Sequence, residues 1–166
     1  MTLRVVVAAQ ESAGIQTVRL VAGSGHRLVC VLTDPAREPS PAATVAVVAG
    51  KLGVDVLDPS LVRDPSFAAP LEELCVDVLL NVHSLHVACA DVVAAPRIGS
   101  FNLHPGPLPA YPGLNAPSWA ISRGETGHAC TVHWMTGDVD AGPVAYAAPL
   151  PVGERDTGLT LTARCV

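Results

Sequence analysis

Short apolar runs of strand length recur from the first residues to about position 103, separated by stretches long enough for a helix. Such runs are typical of strands buried in a parallel sheet, because crossover helices cover both of its faces. The pattern predicts an α/β fold with a doubly wound, mostly parallel, Rossmann-like sheet. The predicted strands are Leu3–Ala8, Arg27–Leu32, Asp55–Leu57, Val76–Val82, Gly99–Leu103, Cys130–Met135 and Pro143–Pro149.

The last two predicted strands differ from the others in their connection. The connecting sequence TGDVDAG is short and rich in Gly and Asp, which favours a direct chain reversal over a helical crossover. We therefore expect the sheet to end in an antiparallel hairpin that carries Asp138 and Asp140 in its loop.

Helices are predicted between the strands, and the fourth is the best marked. Asn115 can accept hydrogen bonds from the first free amides, Pro117 fits the first turn and Gly124 suits the exit. The residues from Thr157 onward read as the start of another helix, capped near Asp156 or Thr157, so we expect the domain to be truncated at its C-terminal end. The three prolines in DPAREPSPAAT predict a surface loop. The predicted helices are Ser12–Ser24, Ala42–Leu52, Phe67–Leu74 and Ala116–Arg123.

Composition narrows the class of function. A chain of 166 residues that is 49% apolar is expected to form a single domain. Its ten Lys and Arg residues are spread along a chain of net charge −5, which argues against nucleic acid as a partner. No run reaches the length of a membrane helix and no signal peptide is recognisable, so we expect a cytoplasmic protein without membrane association. Cys30, Cys75 and Cys130 lie in or beside apolar runs and are expected to be reduced core thiols.

Chemistry-bearing side chains follow the fifth predicted strand. Strand alternation places Asn102 and His104 on one side, near the carboxyl end where α/β sheets bind their ligands. Five prolines between Pro105 and Pro117 then restrict the backbone, which lowers the entropy cost of holding a shaped wall. This segment is therefore a candidate site with a preformed rim.

The segment FNLHPGPLPAYPGLNAPSWAI followed by GHACTVHWMTGDVDAGPV resembles the folate-dependent formyltransferase family. The resemblance covers about Leu3 to Thr157 and implies that residues 1–166 are a formyltransferase catalytic domain. Such a domain transfers a formyl group from 10-formyltetrahydrofolate to an amine. The family pattern of Asn-x-His and a later Asp-x-Gly implies that the catalytic residues are Asn102, His104 and Asp140.

The resemblance also implies where the folate binds. A pterin ring needs apolar walls together with backbone groups that pair with its edge. One wall is implied in the loop after the fourth strand and the other in the hairpin loop around Asp140. The implied folate-binding residues are Leu85, His86, Val87, Val139, Ala141 and Gly142.

The residue types suit formyl transfer. Attack of an amine on the formyl carbon creates a tetrahedral oxyanion, which Asn102 and a protonated His104 can stabilise with N–H donors. A neighbouring carboxylate favours the protonated form of a histidine, and Asp140 is the natural candidate. Asp140 can instead orient His104, or a water that relays the amine's proton. The sequence leaves these roles open.

The acceptor is less constrained than the chemistry. Pro112 stands where many family members have a basic residue. The run HPGPLPAYPGLNAPSW, together with DTGLTLTARCV, is most similar to formylation domains attached to peptide synthetases or other natural-product enzymes. We therefore expect a small-molecule or carrier-bound amine acceptor and further domains of a larger enzyme. The alternatives are a formyltetrahydrofolate hydrolase and a non-catalytic domain that binds folate or a partner.

The remaining histidines allow a competing interpretation as metal ligands. His83 and His86 are three residues apart, and imidazoles are common zinc ligands. No carboxylate or cysteine pair with ligand spacing accompanies them, and the family chemistry needs no metal, so we predict none. His133, directly before Trp134, is expected to support the catalytic residues or to pack, rather than to bind a metal. Asp138 is expected to form part of the turn.

Overall fold

The computed structural model describes residues 1–37 and 44–165, which form seven strands and six α-helices. The strands are β1 (Arg4–Ala9), β2 (Arg27–Leu32), β3 (Asp55–Leu57), β4 (Val78–Val82), β5 (Gly99–His104), β6 (Gly127–Trp134) and β7 (Val144–Pro151). The helices are α1 (Glu11–Gly23), α2 (Val45–Lys51), α3 (Ala68–Glu73), α4 (Ala90–Ala94), α5 (Ala116–Ser122) and α6 (Gly158–Arg164). Short 3-10 helices occupy Pro35–Arg37, Pro59–Arg63 and Pro65–Phe67.

The strands lie in the order β3-β2-β1-β4-β5-β6-β7. Strand β1 pairs in parallel with both β2 and β4, and β2 pairs in parallel with β3. Strands β6 and β7 pair antiparallel along their length. The expected doubly wound, mostly parallel sheet with a late hairpin is therefore confirmed.

Every predicted strand and helix is present, with ends that shift by a few residues. The predicted helix start at Ala42 and most of the predicted Asp34–Thr44 loop lie outside the described residues. The expected cap of the last helix is confirmed, since Thr157 and Thr160 exchange side-chain to backbone hydrogen bonds at 3.2 and 2.8 Å. The sequence missed α4, because five residues are too short to show helical periodicity.

Asn115 is a correction to the sequence prediction. Its side chain makes no capping hydrogen bond to α5, and its backbone is left-handed, with φ of 61°. Asn tolerates this conformation better than most residues, so it turns the chain into the helix through its backbone. Its carbonyl accepts the first helical bond, from the Trp119 amide at 3.1 Å.

The chain divides into two compact units, Met1–Phe101 and Asn102–Val166. The core of the first consists of small aliphatic side chains from β1, β2 and β4 together with Phe67 and Leu71. Helix α1 packs closely, since a Cβ on Gly14 would lie 2.9 Å from both Ala9 and Val45. Only 4% of the chain is aromatic, and where side chains are small the backbones of neighbouring elements approach closely.

Asp77 joins the starts of several strands within the first unit. Its buried carboxylate accepts a hydrogen bond from the Arg4 amide at 2.8 Å. It also forms an ion pair with Arg97, in which Oδ1 lies 2.7 Å from Nη2. Its own amide donates to the Arg4 carbonyl, and its carbonyl accepts from the Ile98 amide. The hydrogen bond from Arg4, followed by the contacts with Arg97, holds the pKa of Asp77 below its usual range.

The second unit is built on β6, whose buried residues include three polar side chains, His128, Thr131 and His133. Helix α6 is held beside it by a hydrogen bond from the Cys130 thiol to the Cys165 carbonyl at 3.0 Å. Because of this close packing, Cys130 is deeply buried.

The cysteines follow the sequence expectation with one exception. Cys30 and Cys130 are buried free thiols, as predicted, and burial raises the pKa of Cys30 to about 11. Cys75 is exposed, so its predicted place in the core is wrong. It adopts a left-handed turn, with φ of 48°, directly after α3, where its neighbours Glu73 and Leu74 also face solvent. No helix within residues 1–37 and 44–165 is long and apolar enough to span a membrane.

Candidate active site

Asn102, His104 and Asp140 converge within the second unit. The end of β5 carries Asn102 and His104, and the connection between β6 and β7 carries Asp140. The His104 Nδ1 lies 3.3 Å from Oδ2 of Asp140, and the Asn102 amide donates to Oδ1 at 3.4 Å. The two residues of the Asn-x-His motif therefore share the carboxylate of the later Asp-x-Gly motif.

His133 is a fourth member of this polar cluster. Its Nε2 lies 3.0 Å from the Asn102 amide nitrogen and 3.3 Å from Oδ1 of Asp140, and its Nδ1 lies 2.9 Å from the Trp134 carbonyl oxygen. With Nδ1 donating to that carbonyl, Nε2 is free to accept from Asn102. The sequence predicted that His133 would either support the catalytic residues or pack, and its contacts with Asn102 and Asp140 agree with the first alternative. Its position among alternating buried residues of β6 was the available signal, because a buried polar side chain is usually hydrogen-bonded.

The His104 side chain is buried, and both of its ring nitrogens have close neighbours. Its Nε2 lies 2.6 Å from the Tyr111 carbonyl oxygen, and a Cβ added to Gly106 would come within 2.8 Å of the same nitrogen. Both ring nitrogens face oxygen acceptors, an arrangement that an imidazolium with two N–H donors satisfies. The ring therefore has a single orientation, with Asp140 on one side and Tyr111 on the other.

Asp140 is held by backbone as well as side chains. The Gly113 amide donates to its Oδ2 at 2.8 Å, and its own backbone is left-handed, with φ of 54°. Aspartate, like asparagine, tolerates this conformation better than most residues do. Gly142 supports the loop, because any Cβ there would overlap the Trp134 carbonyl. Asp138, in contrast, is exposed.

The proline-rich loop after β5 is fastened to β6. Nε2 of His128 lies 3.0 Å from the Pro105 carbonyl, and the Thr131 hydroxyl donates to the Gly106 carbonyl at 2.7 Å. The Leu108 amide donates back to the Thr131 hydroxyl at 3.3 Å. His128 and Thr131, two of the buried polar side chains of β6, are thus hydrogen-bonded to the loop that forms one wall of the site.

The six residues implied in folate binding are divided between the two units. Leu85 and Val87 are exposed in the connection after β4, and Val139 and Ala141 are exposed beside Asp140. Gly142 is buried against the Trp134 carbonyl. The exposed positions leave apolar side chains available to a ligand.

His86 has a different environment from its neighbours. It lines a pocket of about 380 Å³ together with Asp34 and Asp58, at the ends of β2 and β3. Its Nδ1 is buried without a hydrogen-bond partner. Within the part of the chain that the structure describes, no group of three or more His, Cys, Asp or Glu side chains has a metal-binding arrangement.

Comparison with known proteins identifies the family. The family model described as formyl transferase matches residues 3–166. The chain belongs to the formyl transferase family. This confirms the resemblance carried by the two sequence segments around Asn102 and Asp140.

Relatives and solved structures agree with this assignment. The chain is 33% identical to the methionyl-tRNA formyltransferase of Chlorobium luteolum over 161 residues, covering 90% of this chain and 50% of the relative. It is 34% identical to that of Roseiflexus castenholzii over 168 residues, covering 96% and 54%. The chain thus spans about half the length of these curated relatives.

The fold matches solved structures over almost the whole chain. Glycinamide ribonucleotide transformylase 1 from Symbiobacterium toebii superposes with a TM-score of 0.81 at 28% identity, covering 99% of this chain and 80% of that structure. A sugar N-formyltransferase from Shewanella, at 20% identity and a TM-score of 0.74, shares the fold and covers 98% of this chain and 63% of its own.

Proposed function

We propose that this chain transfers a formyl group from 10-formyltetrahydrofolate to an amine, with Asn102, His104 and Asp140 as the reacting polar groups. The observation that carries the proposal is the convergence of an amide and a histidine on one buried carboxylate, at 3.4 and 3.3 Å. Membership of the formyl transferase family supports the same reaction.

The reaction requires one bond to form and one to break. The amine nitrogen attacks the formyl carbon and produces a tetrahedral intermediate with a negatively charged oxygen. Collapse of the intermediate restores the carbonyl and breaks the bond to N10 of tetrahydrofolate. The amine loses a proton, and N10 gains one. N–H donors near the oxygen and a base near the amine accelerate these steps.

The cluster offers groups for each of these needs. Asn102 is only partly buried, whereas the His104 and Asp140 side chains are almost fully buried. Asn102 is therefore the group that most directly meets the substrate. Its amide nitrogen carries two hydrogens, which face His133 and Asp140, and one of them turns to the developing oxyanion when the formyl group is in place. His104 supplies positive charge, and Asp140 balances that charge and accepts the amine's proton, directly or through a water.

We further propose that the folate contacts Leu85, His86, Val87, Val139, Ala141 and Gly142. Exposed apolar side chains at Leu85, Val87 and Val139 support this, because a pterin is bound between apolar walls. Gly142 contributes by holding the hairpin loop close to Trp134.

The acceptor is proposed to be a small-molecule or carrier-bound amine, presented by further domains of a larger enzyme. The curated relatives are named for methionyl-tRNA and a similar structure for glycinamide ribonucleotide, so amines of several sizes are used by related proteins. A net charge of −5 favours an acceptor other than RNA. We also propose that residues 1–166 act as the catalytic domain of this enzyme. Its role would lie in natural-product biosynthesis, and its location in the cytoplasm.

The test is release of tetrahydrofolate from 10-formyltetrahydrofolate by the purified chain, with and without a panel of small and carrier-bound amines. Amine-dependent release and a formylated amine would support transfer, and Asn102→Ala should lower the rate of both at least about tenfold. Equal release without amine would instead identify a hydrolase. Binding of a folate analogue without release would identify a binding domain, and no binding at millimolar ligand would refute the folate assignment. Activity should survive treatment with a chelator.

A further inference from the structure

The carbonyl of Tyr111 is the acceptor that faces the second ring nitrogen of His104. The distance of 2.6 Å from Nε2 to this oxygen is the shortest contact of the polar cluster. It fixes both the rotation of the imidazole and the nitrogen that carries a proton on that side, since a carbonyl can only accept. The position of one backbone oxygen therefore controls how His104 faces Asp140.

The Tyr111 side chain is anchored on three sides within the same unit. Its hydroxyl donates to the Glu125 carboxylate at 2.6 Å, the Arg123 guanidinium lies 5.1 Å from its ring centre, and the His128 ring packs edge to face at 6.3 Å. Arg123 and Glu125 follow directly after α5, where the Glu125 amide bonds to the Ala120 carbonyl. The residues that follow α5 therefore hold the loop that carries Tyr111, whose carbonyl faces His104.

We propose that Tyr111 is a positioning residue for His104, acting through its own carbonyl and anchored by Glu125, Arg123 and His128. This inference rests on the proposed formyl transfer. Tyr111 itself touches no reacting atom. When its ring loses the anchor, the loop moves, the contact at Nε2 lengthens and His104 loses its alignment with Asp140. A shift of about 1 Å in a catalytic group can lower turnover by roughly 100-fold.

The experiment compares Tyr111→Ala with Tyr146→Ala, which changes the chain's other tyrosine at an exposed site on β7. We expect Tyr111→Ala to lower kcat at least tenfold while the KM for 10-formyltetrahydrofolate stays within about twofold, because positioning acts on the transition state. Tyr146→Ala should match the parent in both. Tyr111→Phe keeps the ring contacts with Arg123 and His128 but loses the bond to Glu125, so its kcat should fall between those of the parent and Tyr111→Ala, as should that of Glu125→Ala.

A second measurement does not depend on turnover. In the nitrogen-15 spectrum of the histidine rings, the short bond to Tyr111 should give the His104 Nε2 proton a downfield signal, assigned by its loss in His104→Ala. The signal should move upfield or exchange away in Tyr111→Ala and persist in Tyr146→Ala. If Tyr111→Ala fails to fold, Glu125→Ala removes the exposed anchor and should shift the signal in the same direction, with Glu125→Gln restoring it.

The outcomes separate this inference from the proposed function. An unchanged His104 signal in folded Tyr111→Ala, or a kcat equal to that of Tyr146→Ala, would overturn the positioning role. A parent protein without formyl transfer would overturn the proposed function, and the spectrum would still decide whether Tyr111 orients His104.

Discussion

The two compact units each contain a buried carboxylate held by backbone and side chains, but with different partners. Asp77, in the first unit, is bound by the Arg4 amide and by the guanidinium of Arg97. Asp140, in the second, is bound by the Gly113 amide, by the Asn102 amide and by the His104 ring, and Nε2 of His133 lies 3.3 Å from its Oδ1. Both are fixed by a backbone N–H, so the difference lies in the side chains.

The partners determine what each carboxylate can do. A guanidinium keeps its proton under all physiological conditions, so the Asp77 pair can only hold strands together. Imidazole rings can both donate and accept protons in catalysis, so the side chains around Asp140 are suited to chemistry in a way that a guanidinium is not. Asp140 also has a left-handed backbone, whereas Asp77 does not. We therefore expect substitutions at Asp77 to affect stability and those at Asp140 to affect chemistry.

The largest effect is expected for Asp140→Ala, His104→Ala and Asn102→Ala. Each should lower kcat by about 100 to 1000-fold, with tenfold as the minimum, because positioned donors and bases act in the transition state. Folate affinity, measured by titration calorimetry with an analogue, should change far less. Asp77→Asn should keep the parent kcat per folded molecule. Full turnover in all three folded site variants would refute the mechanism.

A large loss of stability is expected for Gly142→Ala. The added Cβ would overlap the Trp134 carbonyl, which belongs to the β6 backbone and cannot rotate away. We expect the free energy of unfolding to fall by about 3 kcal/mol or more, measured by urea denaturation. Gly127→Ala, where nothing lies within 4 Å of the new Cβ, is the matched control in the same hairpin. Equal stability of the two variants would contradict the close approach.

Some features of the site and the fold could be predicted from the sequence, and others could not. Asn102, His104 and Asp140 were selected as candidates because two separated motifs carry them, and the strands were predicted because apolar runs of strand length recur. A supporting role for His133 was one of two alternatives, but a single strand does not reveal which side chains in the following loop the histidine would face. Tyr111 was missed because its contribution comes from a backbone carbonyl. The Asn115 error arose because helix-capping preference does not distinguish a side-chain cap from a left-handed backbone.

Acidification should affect the Asp77 network directly. Its pKa lies below the usual value of about 3.9 in the folded protein, chiefly because the Arg4 amide donates to it. A lowered pKa adds stability above the unfolded value, and this stability is lost as pH falls through the folded pKa. The parent should therefore lose stability below about pH 4, and Asp77→Asn should be less stable at pH 7 with a shallower acid dependence.

Urea denaturation between about pH 3 and pH 7 would check this expectation. Asp138→Asn is a suitable control, because that carboxylate is exposed whereas the Asp77 carboxylate is buried and paired with Arg97. It should follow the parent curve. If the free energy of unfolding fell with decreasing pH as steeply in Asp77→Asn as in the parent, carboxylates other than Asp77 would dominate the acid response.

The smallest effect is expected for Asp138→Ala, two residues from Asp140 in the same loop. Its backbone carbonyl accepts from the Thr136 hydroxyl at 3.1 Å, and truncation of the side chain leaves this bond intact. Because the residue is exposed, the free energy of unfolding should change by no more than about 0.5 kcal/mol. Turnover should stay within about twofold of the parent, since the carboxylate is not part of the polar cluster. Steady-state kinetics on Asp138→Ala and Asp140→Ala, measured side by side, separate a general need for acidic loop residues from the specific position of one carboxylate. A fall as large as that of Asp140→Ala would show that the catalytic carboxylate has been wrongly assigned.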